Sequence, residues 1–229
     1  MNMTAHGKKI CIAIDGPAGS GKSTTAKLVA EKLGYLHLDT GAMYRAVTLN
    51  VLRNNIDIND ENKVVEIAKS SDIKLEKTDN VLKVYLNGTD VSEAIRTPRV
   101  TKSIAPVAAN PRVREILVIK QRQFMKNGGV VAEGRDIGTN VFPNAELKIF
   151  LVASIEERAK RRYKELTEKG TQVDMDELIA DIKIRDSHDT GRKTNPLKQA
   201  PDAILLDTSN LSIAQQVDFV IQKALEITS

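Results

Sequence analysis

Gly16-Pro17-Ala18-Gly19-Ser20-Gly21-Lys22-Ser23-Thr24 lies between an apolar run, Ile10-Cys11-Ile12-Ala13-Ile14, and a helical stretch from Lys22 to Leu33. Gly16, Gly21, Lys22 and Ser23 fall in the register G-x-x-x-x-G-K-[S/T] of a phosphate-binding loop. The glycines let backbone N–H groups turn inward around a chain of phosphates, and the following helix N-terminus adds favourable dipole charge. Lys22 is placed to reach β- and γ-phosphates, and the Ser23 hydroxyl to ligate Mg²⁺. The whole run from Gly16 to Thr24, in its strand-to-helix setting, predicts a nucleoside triphosphate site. A plain glycine-rich turn would not need every one of these positions filled.

The 229-residue chain is 41% apolar and 28% charged, the balance of an ordinary globular protein of one or two domains. No apolar stretch approaches the length of a bilayer span. Met1 to Gly7 carries none of the apolar character of a signal peptide, so a cytoplasmic enzyme with no membrane partner is expected. Cys11 is the single cysteine and sits in an apolar run, which predicts packing and no internal disulfide. The net charge of +4 raises a nucleic-acid reading, but aromatics are only 3% and Trp is absent, so there is no stacking ladder. Phosphorylated small molecules account for the surplus instead, and no nucleic-acid partner is expected.

Short apolar strands recur at Ile10 to Asp15, Tyr35 to Leu38, Val130 to Glu133, Leu147 to Val152 and Ala203 to Leu206. Helical periodicity fills the intervals: Ala26, Val29, Ala30 and Leu33 form one stripe, and Ile213, Val217, Val220, Ile221 and Leu225 another. Such alternation predicts an α/β fold of the P-loop NTPase type, a parallel five-stranded sheet with helices on both faces. Ligands then gather at the carboxyl ends of the strands. Ser154 and Glu157 form a capping box opening the helix after the fourth strand. The charged segment from Glu165 to Asp176 shows no clear helix caps. Between Asp72 and Val91, alternation (Ile73, Leu75; Leu82, Val84, Leu86) and the turns Asp79-Asn80 and Asn87-Gly88 predict a small antiparallel meander inserted on the core.

Two clusters mark a second substrate. After the second strand, Asp39, Thr40, Gly41 and Arg45 form either a small-anion site or an N-cap beside a surface arginine. After the third strand, Glu133-Gly134-Arg135-Asp136 places a guanidinium suited to bidentate phosphate contact at a central strand end, with Asp136 as a second ligand group or as its ion-pair partner. Arg158 and Arg162 share a helix face, and Arg185, Asp189 and Arg192 cluster near another helix end. Charge runs of this kind are commonly solvated faces, but beside a phosphate loop these arginines become candidates to close over a transferred phosphoryl group.

IAIDGPAGSGKST, LDTGAMYR, DVSEAIR (Asp90 to Arg96), NPRVR (Asn110 to Arg114), AEGRDIGT and the block Arg185 to Arg192 together resemble the bacterial cytidylate kinase family, in the right order over nearly the whole chain. The resemblance implies a nucleoside monophosphate kinase that transfers the γ-phosphoryl group of ATP to CMP or dCMP with Mg²⁺. It implies a core of residues 8–42, 106–157 and 193–229, a monophosphate-binding domain at 43–105 containing the meander, and a helical lid at 158–192. A monomer is implied as well. Gly16 to Thr24 would hold ATP, with Arg158 and Arg162 as lid arginines over the nucleotide. Arg45, Arg135 and Arg192 would bind the acceptor phosphate, Arg114 and Asp136 would read cytosine, and Arg185 and Asp189 would contact the ribose. Lys22, Arg135 and Arg162 are the expected catalytic groups. Ala105 departs from the family pattern, which commonly has a serine there assisting cytosine recognition.

The chemistry of the base agrees with that implication. Cytosine offers an amino donor to a carboxylate such as Asp136, and a ring nitrogen and carbonyl to Arg114; uracil reverses two of these positions. A phosphate acceptor is already ionised, so no general base is needed, and His6, His37 and His188 are assigned no role. A hydroxyl-directed kinase of the shikimate or dephospho-coenzyme A type would want a carboxylate base, for which Asp39 is available. A GTPase would need N-K-x-D and D-x-x-G motifs, which the sequence lacks. A nucleic-acid-dependent ATPase would show steep salt dependence on oligonucleotides.

Overall fold

The computed structural model describes residues 9–78, 81–168 and 170–228, which form two compact units, one within residues 9–35 and 128–228 and the other within residues 36–127. The first unit is built on β1 (Cys11–Asp15) and α1 (Lys22–Leu33). The second contains β2 (Leu36–Asp39), α2 (Thr40–Arg53), α3 (Glu61–Ser70), β3 (Ile73–Thr78), β4 (Val81–Leu86), β5 (Thr89–Asp90), α4 (Pro98–Ala109) and α5 (Pro111–Met125). The chain then adds β6 (Val130–Gly134), β7 (Leu147–Val152), α6 (Ile155–Glu168), α7 (Met175–Thr190), β8 (Ile204–Asp207) and α8 (Ile213–Thr228) to the first unit. The main sheet has the order β2-β6-β1-β7-β8. β1 runs parallel to β6 (Cys11↔Val130 through Asp15↔Gly134) and to β7 (Ile12↔Leu147), and β7 runs parallel to β8.

β1 is buried along its length because it is central, and its Ile12 and Ile14 pack with Val131, Ile149 and Leu151. The stripes Ala26-Val29-Ala30 of α1 and Val217-Val220-Ala224 of α8 join that cluster. Each fully buried Ile or Val contributes about 2 kcal/mol of transfer free energy. This packing fixes where the carboxyl end of β1 sits.

Strand limits differ from the sequence expectation by about one residue, for local reasons. Tyr35 belongs to the end of α1: Gly34 takes φ 67°, and the Tyr35 N–H donates to Ala30 O at 2.8 Å. Ala203 closes a turn onto Ala200 O at 3.0 Å, which delays β8 to Ile204. The capping box is half made: Glu157 N–H donates to Ser154 Oγ at 3.1 Å, while the Ser154 N–H goes to Ser209 Oγ at 3.1 Å. The segment read as capless contains a cap, Asp174, whose Oδ1 accepts from Asp176 N–H (2.8 Å) and Glu177 N–H (3.0 Å).

In the second unit, β3, β4 and β5 form the antiparallel meander, with Ile73, Leu75, Val84 and Leu86 buried on one face. Asn87 and Gly88, both at positive φ (50° and 80°), form its β4–β5 turn. The Asp79-Asn80 turn lies outside the described residues. Asn110 caps α5 by accepting from Arg112 N–H (3.0 Å) and Val113 N–H (3.3 Å), with Pro111 at the first helical position.

Candidate active site

The loop after β1 takes positive φ at Gly16 (148°), Gly19 (78°) and Gly21 (97°). A Cβ at Gly16 would collide with the Leu151 carbonyl, so the loop lies flat against β7 only because that residue is glycine. Gly21 supplies no side-chain cap to α1, leaving its first-turn N–H groups directed at the loop. Lys22 is 5% exposed, and its Nζ donates to Pro17 O at 2.6 Å. Burial, and then the nearby positive charge of Arg135 and Arg185, holds Lys22 well below the ordinary lysine range, against the pull of Glu133 and Asp15. Ser23 and Thr24 stay exposed, and Ser23 Oγ donates to Glu133 Oε2 at 2.6 Å. A hydroxyl and a carboxylate side by side at the loop are hard oxygen ligands of the kind Mg²⁺ takes.

At the carboxyl end of β6, Glu133 is buried, and Arg135 Nε lies 2.6 Å from Asp189 Oδ2. Arg192 Nε donates to Asp189 O at 3.3 Å. Burial works against ionisation of Asp189, but Arg135, Arg192 and Arg185 outweigh it and hold the carboxyl below its usual range. Asp136, 5% exposed, accepts from Asn140 Nδ2 at 2.9 Å. The first unit therefore gathers Lys22, Arg135, Asp136, Arg185, Asp189 and Arg192 at one sheet edge.

On α6, Arg158 is buried: its guanidinium spans both Asp186 carboxylate oxygens (3.0 and 2.6 Å) and donates to Ala18 O in the loop at 3.1 Å. Arg162, on the same helix, is exposed and pairs with Glu165 at 2.7 Å. Arg161 instead turns toward the loop side, donating to Thr208 O at 2.6 Å and Thr208 Oγ1 at 3.2 Å.

The remaining candidates lie in the second unit. Asp39 caps α2, accepting from Ala42 N–H at 3.0 Å, with Thr40 buried behind it. Arg45 Nη1 donates to Ile95 O (3.1 Å) and Thr101 Oγ1 (2.8 Å). Arg114 is 2% exposed, donates to Ala108 O at 3.1 Å, and places Cζ 5.4 Å from the Tyr44 ring centroid, within cation–π range.

A cytidylate kinase family model matches residues 12–226. The chain belongs to the cytidylate kinase family. It is 54% identical over 220 residues to the cytidylate kinase of Caldicellulosiruptor bescii, covering 96% of both chains. It is 52% identical over 215 residues to that of Bacillus subtilis, covering 94% of this chain and 96% of the relative. Among solved structures, a gluconokinase from Sinorhizobium meliloti shares the fold at TM-score 0.51 and 12% identity, covering 97% of this chain and 95% of that one.

In this member of the cytidylate kinase family, four residues without an assignment from the sequence bond the loop, the turn after Asp136 or Arg158. Asp15, Asp186 and Thr208 act through partners distant in the chain, so no local pattern announces them. Arg161 had a usable signal, because it lies three residues after Arg158 and shares a helix face with it as Arg162 does.

Proposed function

We propose that this chain transfers the γ-phosphoryl group of ATP to CMP or dCMP, giving CDP or dCDP and ADP. The observation that carries this reading is that Lys22, buried at the phosphate loop, feels the positive charge of half-buried Arg135 and exposed Arg185 at the carboxyl end of the sheet. Like charges held together at that cost are offset when a polyanion enters between them. Gly16 to Thr24 holds the ATP phosphates, and Arg158 and Arg162 cover the donor. Arg45, Arg135 and Arg192 take the acceptor phosphate, and Asp39, Thr40 and Gly41 belong to the same acceptor's binding residues. Arg185 and Asp189 contact the ribose, and Asp136 and Arg114 read cytosine through its amino group and its acceptors.

The acceptor oxygen is ionised at neutral pH, so the residues need only position and neutralise. Lys22 and the arginines bring two anions into line and stabilise spreading charge. The Arg135–Asp189 pair orders that guanidinium before the acceptor arrives. Ser23, with Glu133 behind it, would hold Mg²⁺, which when bound would supply positive charge against the charge developing on the phosphates. Residues 8–42, 106–157 and 193–229 serve as core, 43–105 as the monophosphate-binding domain and 158–192 as the lid. The enzyme works as a cytoplasmic monomer with no nucleic-acid or membrane partner; no helix among the described residues is long and apolar enough to cross a membrane.

The test is ADP release across CMP, dCMP, UMP and AMP. CMP and dCMP should lead, and Asp136→Ala should shrink the CMP-to-UMP ratio of kcat/KM by about tenfold or more, since mismatched buried polar groups discriminate strongly. Comparable kcat/KM for CMP and UMP in the wild type would refute the roles of Asp136 and Arg114.

A further inference from the structure

Asp15 is the last residue of β1, 5% exposed, opposite Gly134 in the sheet register and directly before the phosphate loop. Its two carboxylate oxygens accept from consecutive backbone N–H groups, Ile137 at 2.8 Å and Gly138 at 2.7 Å. Those residues open the tight turn Ile137–Val141 that follows Asp136. The peptide joining Asp136 to Ile137 is held from both sides. Its N–H goes to Asp15, and its carbonyl accepts from Asn140 N–H (2.9 Å) and Val141 N–H (3.0 Å). Asp136 itself has φ −146° and ψ 28°, so nothing in a regular helix or strand sets its direction.

We propose that Asp15 is a positioning residue for acceptor selectivity, gripping the turn so that the Asp136 carboxylate faces the base of the incoming nucleoside monophosphate. The inference rests on the base-reading role given to Asp136 above.

Two adjacent N–H groups in a water-poor site need two acceptors in one plane, which a carboxylate supplies and an amide or hydroxyl does not. Gly138 fits the turn tightly: a Cβ there would meet Asp15 Oδ2 at an ordinary contact distance of 3.4 Å but crowd Lys148 Cδ at 3.1 Å. Lys148 cannot easily withdraw, because its ammonium is bound to Asp202 at 2.6 Å. Burial pushes the Asp15 carboxyl up to about 6, against the two N–H groups, with Asp136 adding to the rise and Lys22 opposing it. Retaining so costly a group at the mouth of the loop fits a part that aims other residues. The same side chain joins the start of the loop to the turn bearing Asp136, so a fault in it is felt on the acceptor side.

The experiment measures kcat and KM for CMP, UMP and ATP in the full-length wild type, Asp15→Asn and Asp136→Ala, with a thermal melt of each. Asp15→Asn should raise KM for CMP roughly tenfold to a hundredfold, the scale of a misplaced contact. KM for UMP and for ATP should stay within about threefold. Equal losses on CMP and UMP, or a lowered melting temperature with the CMP preference intact, would make Asp15 a structural clip only and overturn the proposal. If Asp15→Asn yields no folded protein, Gly138→Ala loosens the same grip from the donor side and is read by the same criteria. If Asp136→Ala keeps the CMP preference, the base-reading role falls and this inference with it. If Asp136→Ala loses the preference while Asp15→Asn keeps it, only the inference falls.

Discussion

The two ends of β1 carry the same physical anomaly with opposite consequences. At the amino end, Cys11 is 4% exposed, and burial followed by the nearby Glu146 carboxylate pushes its thiol up to about 11. At the carboxyl end, burial pushes Asp15 up to about 6. Their surroundings differ. Cys11 has strand neighbours, and its own N–H donates to Glu146 Oε2 at 2.9 Å. Asp15 has the turn N–H groups, Lys22 and Asp136 around it. A shifted titration therefore does not mark a site by itself. In parallel βα units the loops and helix N-termini that hold phosphates lie at the carboxyl edge, and that placement separates the two ends.

The largest expected effect tests the carboxyl edge at Lys22. Lys22→Met removes the only charge the loop helix supplies from its first position and should cut kcat by about 10² to 10³, as loss of an oxyanion donor does. Because burial and like charge already oppose the ammonium, the same variant should melt at the wild-type temperature or above it. A variant that loses little activity, or that loses stability along with activity, would place the chemistry elsewhere. Turnover with CMP and a thermal melt in the same buffer decide it.

The contrast between the two ends was only partly legible in the sequence. The glycine and lysine spacing of Gly16 to Thr24, and the apolar runs on either side, place the loop at a strand end because few other backbone paths suit those residues. The alternation of Ile73, Leu75, Val84 and Leu86 likewise specifies a meander, since a helix would scatter those side chains. Asp15 was hidden, because its partners lie more than a hundred residues onward and a strand-terminal Asp has many uses. Arg158, Arg161 and Arg162 look alike on a helical wheel. Tertiary context separates them, with Asp186 burying the first, Thr208 drawing the second and Glu165 holding the third in solvent. Asp174 was hidden in a run of charge where any acidic residue reads as surface.

A smaller effect sharpens the comparison through pH. The folded Asp15 carboxyl titrates near 6 against 3.8 unperturbed, so between those values the folded state binds more protons than the unfolded one. Stability then falls as pH rises through that window, by roughly 3 kcal/mol for a shift of this size. Asp189, held below its usual range, acts in the opposite sense and at lower pH, gaining stability up to the unperturbed value. Denaturant unfolding of wild type and Asp15→Asn at pH 4 and pH 7 isolates the first contribution. The variant should lack the loss, so its stability relative to wild type improves on going from pH 4 to pH 7. An unchanged difference would mean that the turn N–H groups fully offset the burial of Asp15.

The smallest effect belongs to the amino end. With its thiol near 11, Cys11 holds almost no thiolate at pH 8, and the strand covers it. A thiol reagent such as iodoacetamide should modify the native protein only as fast as it opens, and orders of magnitude more slowly than the same chain in denaturant. Cys11→Ala should leave turnover with CMP within about twofold and cost about 1 kcal/mol, the transfer and packing loss of one buried sulfur. Rapid labelling of native enzyme, or loss of turnover in Cys11→Ala, would mean that the two ends of β1 are coupled through the strand. The carboxyl-edge geometry would then depend on packing four residues away.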